Sequence, residues 1–393
     1  MGCQTSRNAH MLTHEIGSVV DLNRQISQHD MQAERRNDDA ATNSSPSSES
    51  LSPEGTKRKK KNSLSAYGSS SDEEFFGLDM DINVFEKGDS IGSGTYGQVF
   101  KCRYKGKLFA LKKIFIPELP QDRAEMLEDF AKEISILSVL RHDRIVRFKG
   151  AVRTNPNYAL LFELCEGCVG TLLRMVRRKK VQVTWNICIT IAKDCAEAVE
   201  YLHSLRPQII HRDLKAENLL LTSQFRCKLT DFGLSRVYEG RKSAMTVCGT
   251  PCWVAPEIFR GEAYNEKIDV YSFGVVLWEL FTGKKPYTDY DSVELPYRVG
   301  KKGLRPPLLR HCPPSLNELM KDCWRENPAM RPSFKEIQSR LAHVEHDLEA
   351  SSCLNLAAHQ TTQMWTTPKT AISSTIDKGL GVSSNGTNIV NSA

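Results

Sequence analysis

The sequence predicts an α+β fold in which a strand-rich part precedes a larger helical one, and three stretches carry that reading. Residues 98–114, QVFKCRYKGKLFALKKI, alternate like two strands joined by a turn at Lys105-Gly106. Residues 123–140, RAEMLEDFAKEISILSVL, return their apolar side chains at helical spacing instead. Beyond about Gly170, wide apolar stripes at helical spacing dominate. The most apolar run, Val270 to Phe281, is interrupted by Ser272 and Glu279. It falls short of the roughly 18 apolar residues of a membrane span and reads as a buried core helix.

The flanks have a different texture. Residues 1–81 are rich in Ser, Asn, Asp and Gln, and Ala40 to Ser71 are nearly all small or charged. Such a segment cannot bury enough apolar surface to offset its ordering entropy, so 1–81 is expected to be disordered. One exception is a short amphipathic helix over 11–33, where Leu12, Ile16, Val19 and Ile26 recur at helical spacing. Residues 350–393 lose periodicity and are expected to form a disordered tail. No apolar stretch follows the first residues, so no secretory leader is expected. The 12 cysteines have no repeating spacing, which suits free thiols in a reducing cytosol. Cys165 and Cys168 form a CxxC without the second pair that a structural zinc site needs. The formal charge is +6. Both flanks carry more Asp and Glu than Lys and Arg, so the basic surplus lies in the centre. A basic body suits an anionic membrane surface or acidic partners, and equally a solvated surface rich in lysine. Nothing has the pattern of a nucleic-acid module.

The chemistry sits in the centre. IGSGTYGQV (91–99) is a G-x-G-x-x-G-x-V run. Glycines lacking Cβ let backbone N–H groups approach phosphates closely. A dinucleotide fold would want a helix directly after the last glycine, and a strand-like run follows here. Lys112 lies on the second of those strands, and Glu133 lies on the predicted helix, placed to pair with it. IIHRDLKAENLLL (209–221) gathers His211, Arg212, Asp213, Lys215 and Asn218 between apolar runs. KLTDFGLS (228–235) then places Asp231 after a strand, and VAPE (254–257) closes the series.

In this order and at these gaps, the segments resemble those of the eukaryotic protein kinases, over residues 84–345. The resemblance implies a bilobal fold: a small β-rich lobe with one helix, a larger mainly helical lobe, and Mg2+ and ATP in the cleft between them. It also implies roles. Gly92, Gly94 and Gly97 would cover the phosphates. Lys112, held by Glu133, would neutralise the α/β-phosphates. Asp213 would take or steer the proton of the substrate hydroxyl, with Lys215 beside it, and Asn218 and Asp231 would hold magnesium. Glu163 and Cys165 would offer hinge backbone groups to adenine. Ile91, Val99, Ala110 and Leu220 would enclose the ring, with Phe162 as gatekeeper. Asp269 would brace the catalytic loop, and Arg331 would pair with Glu257.

Lys215 and CGTPCWVAPE (248–257) resemble the serine/threonine class, with Thr250 placed to touch Asp213 and Lys215. DVYSFGVVLWELFTGKKPY (269–287) and CWRENPAMRPSF (323–334) look like tyrosine kinases. That mixture resembles the tyrosine-kinase-like branch, with its Raf-like and mixed-lineage members. By that analogy the chain acts on protein Ser/Thr hydroxyls, upstream of MAP-kinase kinases. Its rivals are a dual-specificity or tyrosine kinase and a pseudokinase scaffold. Scaffolds of that kind usually lack the lysine, the catalytic aspartate or the metal aspartate, and all three are present. Two segments depart from the common pattern: Asp143 stands where many kinases have proline, and residues 163–173 lack the usual Gly-Gly-Ser-Leu.

Regulation is expected at the N-terminal end of the chain and in its middle. Ser243, Thr246 and Thr250 are candidate phosphorylation sites between the two anchors of the activation loop, with Arg212 as the cation a phosphate would meet. A homodimer would allow such phosphorylation in trans. Gly2 with Ser6 fits the N-myristoylation pattern, and Cys3 beside it resembles the dual-acylation ends of membrane kinases. One myristate binds membranes only marginally, so palmitate on Cys3 would supply a second signal. KRKKK (57–61) reads as a third membrane contact, a nuclear import signal or a solvated charge run. The expected location is the cytoplasmic face of a membrane, with cytosol or nucleus as alternatives.

Overall fold

The computed structural model describes residues 75–94, 97–181, 183–238, 249–310 and 312–357. Gly2, Cys3, the 11–33 helix, the 57–61 cluster, Ser243 and Thr246 therefore lie outside the described residues. Five antiparallel strands build the smaller lobe: β1 (Glu86–Gly94), β2 (Gly97–Tyr104), β3 (Lys107–Ile114), β4 (Phe148–Thr154) and β5 (Asn157–Glu163), in the order β1-β2-β3-β5-β4. The β2–β3 turn is the expected one, with Lys105 at φ 48° and Gly106 at φ 78°, the pair of positive values a tight hairpin turn requires. One helix, α1 (Pro120–Val139), starts with proline at its first position and buries Phe130, Ile134 and Leu137.

Register sorts the sheet into two faces. Val99 opposes Lys112, Lys112 opposes Leu160, and Ala110 opposes Phe162, so these side chains share the face toward the cleft. The other face buries Cys102, Phe109, Leu111, Val152, Ala159 and Leu161 with Met80 and Phe85.

Met80 marks a correction to the expected disorder of 1–81, because the described residues from Phe75 onward are packed against the sheet. Residues 76–80 lie along β4: Phe76 N donates to Lys149 O (2.7 Å), Ala151 N to Gly77 O (3.0 Å) and Met80 N to Ala151 O (3.0 Å). The Phe76 ring meets Tyr104 and Phe109 edge-on, with centroids 4.9 and 5.5 Å away. Arg153 grips the Asp79 carboxylate through Nε and Nη2 (2.9 and 2.8 Å). Averaging over a long polar flank hid this short aromatic strap.

The larger lobe contains α2 (Val169–Arg177), α3 (Trp185–Ser204), α4 (Pro256–Phe259), α5 (Lys267–Thr282), α6 (Glu294–Lys302), α7 (Pro314–Cys323) and α8 (Phe334–Ala357). α5 is the predicted core helix, buried from Ile268 through Phe281. Ser272, which breaks its apolar run, donates to Trp253 O (2.7 Å). Gly274 admits the neighbouring helix, since a Cβ there would lie 2.7 Å from Cys323 Cβ. α8 runs through the expected boundary at 350 as far as Ala357. Leu341, Val344 and Leu348 are buried, and Glu345 pairs with Lys193 of α3 (2.7 Å).

Short strands set the loops between the lobes. β6 (Gly167–Cys168), β8 (Leu219–Leu221) and β9 (Cys227–Leu229) form one small sheet, and β7 (Gln208–Ile210) pairs with β10 (Arg236–Tyr238). Cys168 explains the missing Gly-Gly-Ser-Leu: its Sγ accepts from Thr171 N (3.4 Å) and caps α2 where a serine would otherwise serve. Among the described residues, no helix is long and apolar enough to cross a membrane.

Candidate active site

Two strands and a helix terminus place Asp213. β7 leads into the loop that carries it, β8 leaves that loop, and Asp269 at the start of α5 pins it from below. Asp269 is fully buried and accepts from His211 N (2.9 Å), Arg212 N (2.8 Å) and His203 Nε2 (2.8 Å). Burial alone would push its carboxyl up, but His203 and the other donors hold it below the usual range. An ionised brace fixes two successive amides, and Arg212 takes the left-handed backbone this requires (φ 70°).

The Asp213 carboxylate is caged by donors. Oδ1 accepts from Thr250 N (3.1 Å) and Thr250 Oγ1 (3.0 Å). Oδ2 accepts from Lys215 Nζ (2.5 Å) and Asn218 Nδ2 (3.0 Å). Lys215 also donates to Thr250 Oγ1 (2.8 Å), so the three side chains form one network. This geometry argues against Thr250 as an activating phosphorylation site, because a phosphate there would set a dianion beside Asp213. Arg212 spends its guanidinium on Leu234 O and on Tyr264 Oη (3.0 Å).

Lys112 forms the second charged centre. Its Nζ donates to Glu133 Oε1 (3.1 Å) and Asp231 Oδ1 (2.9 Å), so one ammonium joins sheet, helix and the loop after β9. Burial would pull Lys112 down, but the two carboxylates raise its pKa and keep it charged. Asp231 is subject to the reverse balance: burial pushes it up, and Lys112 outweighs that and holds it low. Its side chain remains 39% exposed and faces the cleft mouth as a carboxylate. Asn218 spends its amide N–H on Asp213 O (2.9 Å) and Oδ2, leaving an oxygen to offer. An open carboxylate and an amide oxygen are the hard donors that Mg2+ takes, so the residues fit that ion.

The nucleotide-facing candidates divide. Gly92 and Gly94 lie in β1, with nothing within 4 Å of a Cβ at Gly94. Gly97 has a different reason to be glycine: a Cβ would meet Lys113 O at 2.3 Å. The sheet itself demands that glycine, whatever lies over it. Val99, Ala110 and Leu220 are half-buried and Ile91 is exposed, leaving apolar surface for a flat ring. Phe162 closes the rear, its ring 5.8 Å from Phe148. Glu163 turns its side chain away from the cleft face, and Oε1 accepts from Arg147 N (2.6 Å) and Lys228 Nζ (2.7 Å). Cys165 follows in the hinge, its thiol pushed up to about 12 by burial and the Glu163 charge, and so neutral.

Sequence reasoning missed His203 and Lys228, which bind Asp269 and Glu163 from 66 and 65 residues away. No local spacing announces such contacts. Asp143, standing in place of proline, is exposed, while Arg144 beside it pairs with buried Asp194 (3.0 Å).

Glu279 is a further buried acid with a measurable consequence. Burial, together with the Glu217 carboxylate, pushes it up to about 8 from an ordinary 4.5. The folded state therefore holds a proton that the unfolded chain releases. The associated stability is full below pH 4.5 and is lost as pH rises toward 8. Glu279→Gln should flatten the fall of unfolding free energy across that window, by up to about 1.4 kcal/mol per pH unit. Urea titrations of both proteins at several pH values check this, and equal slopes would refute it.

A charged ammonium tied to two carboxylates, and a second carboxylate caged by donors, suit phosphoryl transfer, which is mainly positioning and charge stabilisation. The protein tyrosine and serine/threonine kinase profile matches residues 85–341. The chain belongs to that family. It is 36% identical over 269 residues to drkA, a probable serine/threonine-protein kinase of Dictyostelium discoideum, covering 68% of this chain and 41% of that protein. It is 35% identical over 269 residues to drkB of the same organism, covering 68% and 38%. It is 37% identical over 266 residues to SIS8, a probable serine/threonine-protein kinase of Arabidopsis thaliana, covering 67% and 25%. The chain thus spans well under half the length of these curated relatives.

Proposed function

We propose that the chain is a serine/threonine protein kinase that transfers the γ-phosphoryl group of ATP to protein hydroxyls. The observation that carries this reading is the complete charged apparatus: Lys112 tied to both Glu133 and Asp231, and Asp213 caged by Lys215, Asn218 and Thr250.

Each residue then has a task. Gly92 and Gly94 lie where the chain can approach phosphates without side-chain hindrance. Lys112, kept charged by its two carboxylates, offsets phosphate charge. Asn218 and Asp231 would hold Mg2+, which supplies further neutralisation of the β- and γ-phosphates. Asp213 receives the acceptor hydroxyl as a hydrogen-bond donor and aligns its oxygen for attack. Lys215 stands within 2.5 Å of that carboxylate and adds positive charge where the transferred group gains negative charge. The Lys215–Thr250 link supports the serine/threonine assignment, as do the printed names of the relatives. Incubation of the full chain with Mg-ATP and a mixed protein substrate, followed by acid hydrolysis, should yield phosphoserine and phosphothreonine. A yield dominated by phosphotyrosine would overturn the assignment.

The finer placement is a tyrosine-kinase-like enzyme acting at a membrane, upstream of MAP-kinase kinases. It is supported by the mixed motifs at 248–257 and 269–287, and by Gly2, Cys3 and the 57–61 cluster. In fractionated eukaryotic cells the wild type should sediment with membranes and Gly2→Ala should become soluble. Two soluble proteins would exclude a lipid address at Gly2.

A further inference from the structure

We propose that a basic face of the larger lobe selects protein substrates that carry acidic or phosphorylated residues near the acceptor hydroxyl. The proposal rests on the reading that the chain phosphorylates protein hydroxyls, and adds the chemistry of the segment around the acceptor.

The face is assembled from two places in the sequence. The end of α2 and the turn after it expose Arg174, Arg178, Lys179 and Lys180. The loop after α5 exposes Lys284 and Lys285. Packing brings the two together. A Cβ on Gly283 would lie 3.1 Å from Val176 Cγ1, and Arg177 Nη1 donates to Gly283 O (3.4 Å). Among the described residues, none of the six exposed cations has a side-chain hydrogen bond or ion pair. Native surfaces usually intersperse opposite charges, and a run of cations left without partners is a field that attracts anions.

Position ties this field to the site. Arg177 lies 3.8 Å from Glu279, which is beside Trp253, three residues beyond the Thr250 that binds Asp213. Lys285 is close enough to act electrostatically on both Glu279 and Cys252. The carboxylates nearby cancel the field only in part. Glu279 is buried and, with its pKa pushed up to about 8, mostly uncharged at neutral pH. Glu217, Glu166 and Asp289 are exposed acids that offset part of the field. Farther along the loop, Asp291 is engaged by Val293 N (2.9 Å) and Glu294 N (2.7 Å). The segment from Thr250 to Trp253 links this face to Asp213, and a polypeptide bound with its hydroxyl at Asp213 would run along that segment toward it. Acidic or phosphorylated side chains there would meet unpaired cations, raising both encounter rate and residence.

The test uses the full chain and two synthetic peptides with the same central Ser. One has glutamates on both sides of it, and the other has glutamines in their place. The wild type should favour the glutamate peptide by about tenfold in kcat/KM, a preference that shrinks with added salt. The variant Lys179→Glu/Lys180→Glu/Lys284→Glu/Lys285→Glu should lose or reverse the preference while the glutamine peptide reports that it is folded. Fluorescence anisotropy of the labelled glutamate peptide gives a second readout, with weaker binding expected for the variant. Equal use of both peptides by the wild type, or an acidic preference kept by the variant, overturns the proposal. So does loss of binding to phosphatidylserine vesicles with peptide preference unchanged, which would make the face a membrane contact. Transfer to neither peptide, nor to a mixed protein substrate, would instead remove the kinase reading and this proposal with it.

Discussion

Asp213→Asn is expected to lower kcat about a thousandfold while leaving ATP affinity within a factor of about three. The reason lies in the cage. Thr250 N, Thr250 Oγ1, Lys215 Nζ and Asn218 Nδ2 all direct donors at the carboxylate. Asparagine has nearly the same shape, but its amide N–H2 must face at least one of those donors. The side chain would rotate or the network would open, and the negative charge that receives the acceptor hydroxyl would be gone. Loss of a positioned general base typically costs 10²–10⁴ in rate, and the charge mismatch places this variant in the middle of that range. Lys112, Glu133 and the apolar ring surface are untouched, so nucleotide binding should survive. Steady-state kinetics with a serine peptide, paired with nucleotide titration, separates the two effects. A loss of less than tenfold in kcat would mean that Asp213 does not handle the hydroxyl.

The second large effect concerns folding. Arg331→Ala is expected to destabilise the domain by about 3–5 kcal/mol, the usual result of removing one partner from a buried ion pair. The Arg331 side chain has no exposed surface. It binds Glu257 through both arms (2.6 and 2.8 Å), and also Arg325 O (2.9 Å) and Lys267 O (3.0 Å). Truncation would strand the Glu257 carboxylate, itself 1% exposed, together with two carbonyl groups. The pair joins the Pro256–Phe259 helix, which follows the segment bearing Thr250, to the far end of the lobe. A fall in melting temperature of roughly 10 °C is expected for a domain of this size. Denaturant titration measures the energy, and a change under 1 kcal/mol would show that the pair is not a structural tie.

These two residues also show what a sequence can and cannot reveal. Asp213 was singled out with Lys215 and Asn218 in one short segment, and its role was reached through the resemblance that this segment carries. The Lys112–Asp231 contact spans 119 residues and was not anticipated, whereas the Arg331–Glu257 pair across 74 was reached only through resemblance. His203 and Lys228 had neither signal, because a histidine late in a helix and a lysine in a short strand are ordinary in themselves. The strap at 75–80 was obscured by its surroundings: two phenylalanines and a methionine weigh little in an eighty-residue polar average, yet Phe76 and Met80 help to cover one face of the sheet. Gly97 was singled out for phosphates, and the neighbouring strand at Lys113 O supplies a purely structural reason for glycine there. The length of its apolar run revealed α5, because its buried face goes all the way round, and the interrupting Ser272 and Glu279 then proved to be buried polar groups.

The proposed phosphotransferase activity rests on the Lys112 and Asp213 centres together. The most direct measurement is transfer of γ-labelled phosphate from Mg-ATP to protein serine and threonine by the purified full chain, beside Asp213→Asn protein prepared in parallel. Sustained labelling by the wild type is expected, with about a thousandth of that rate in the variant. Equal labelling by both would assign the activity to a contaminant or to other residues, and no labelling by a folded, nucleotide-binding wild type would make the chain a scaffold built on a kinase fold.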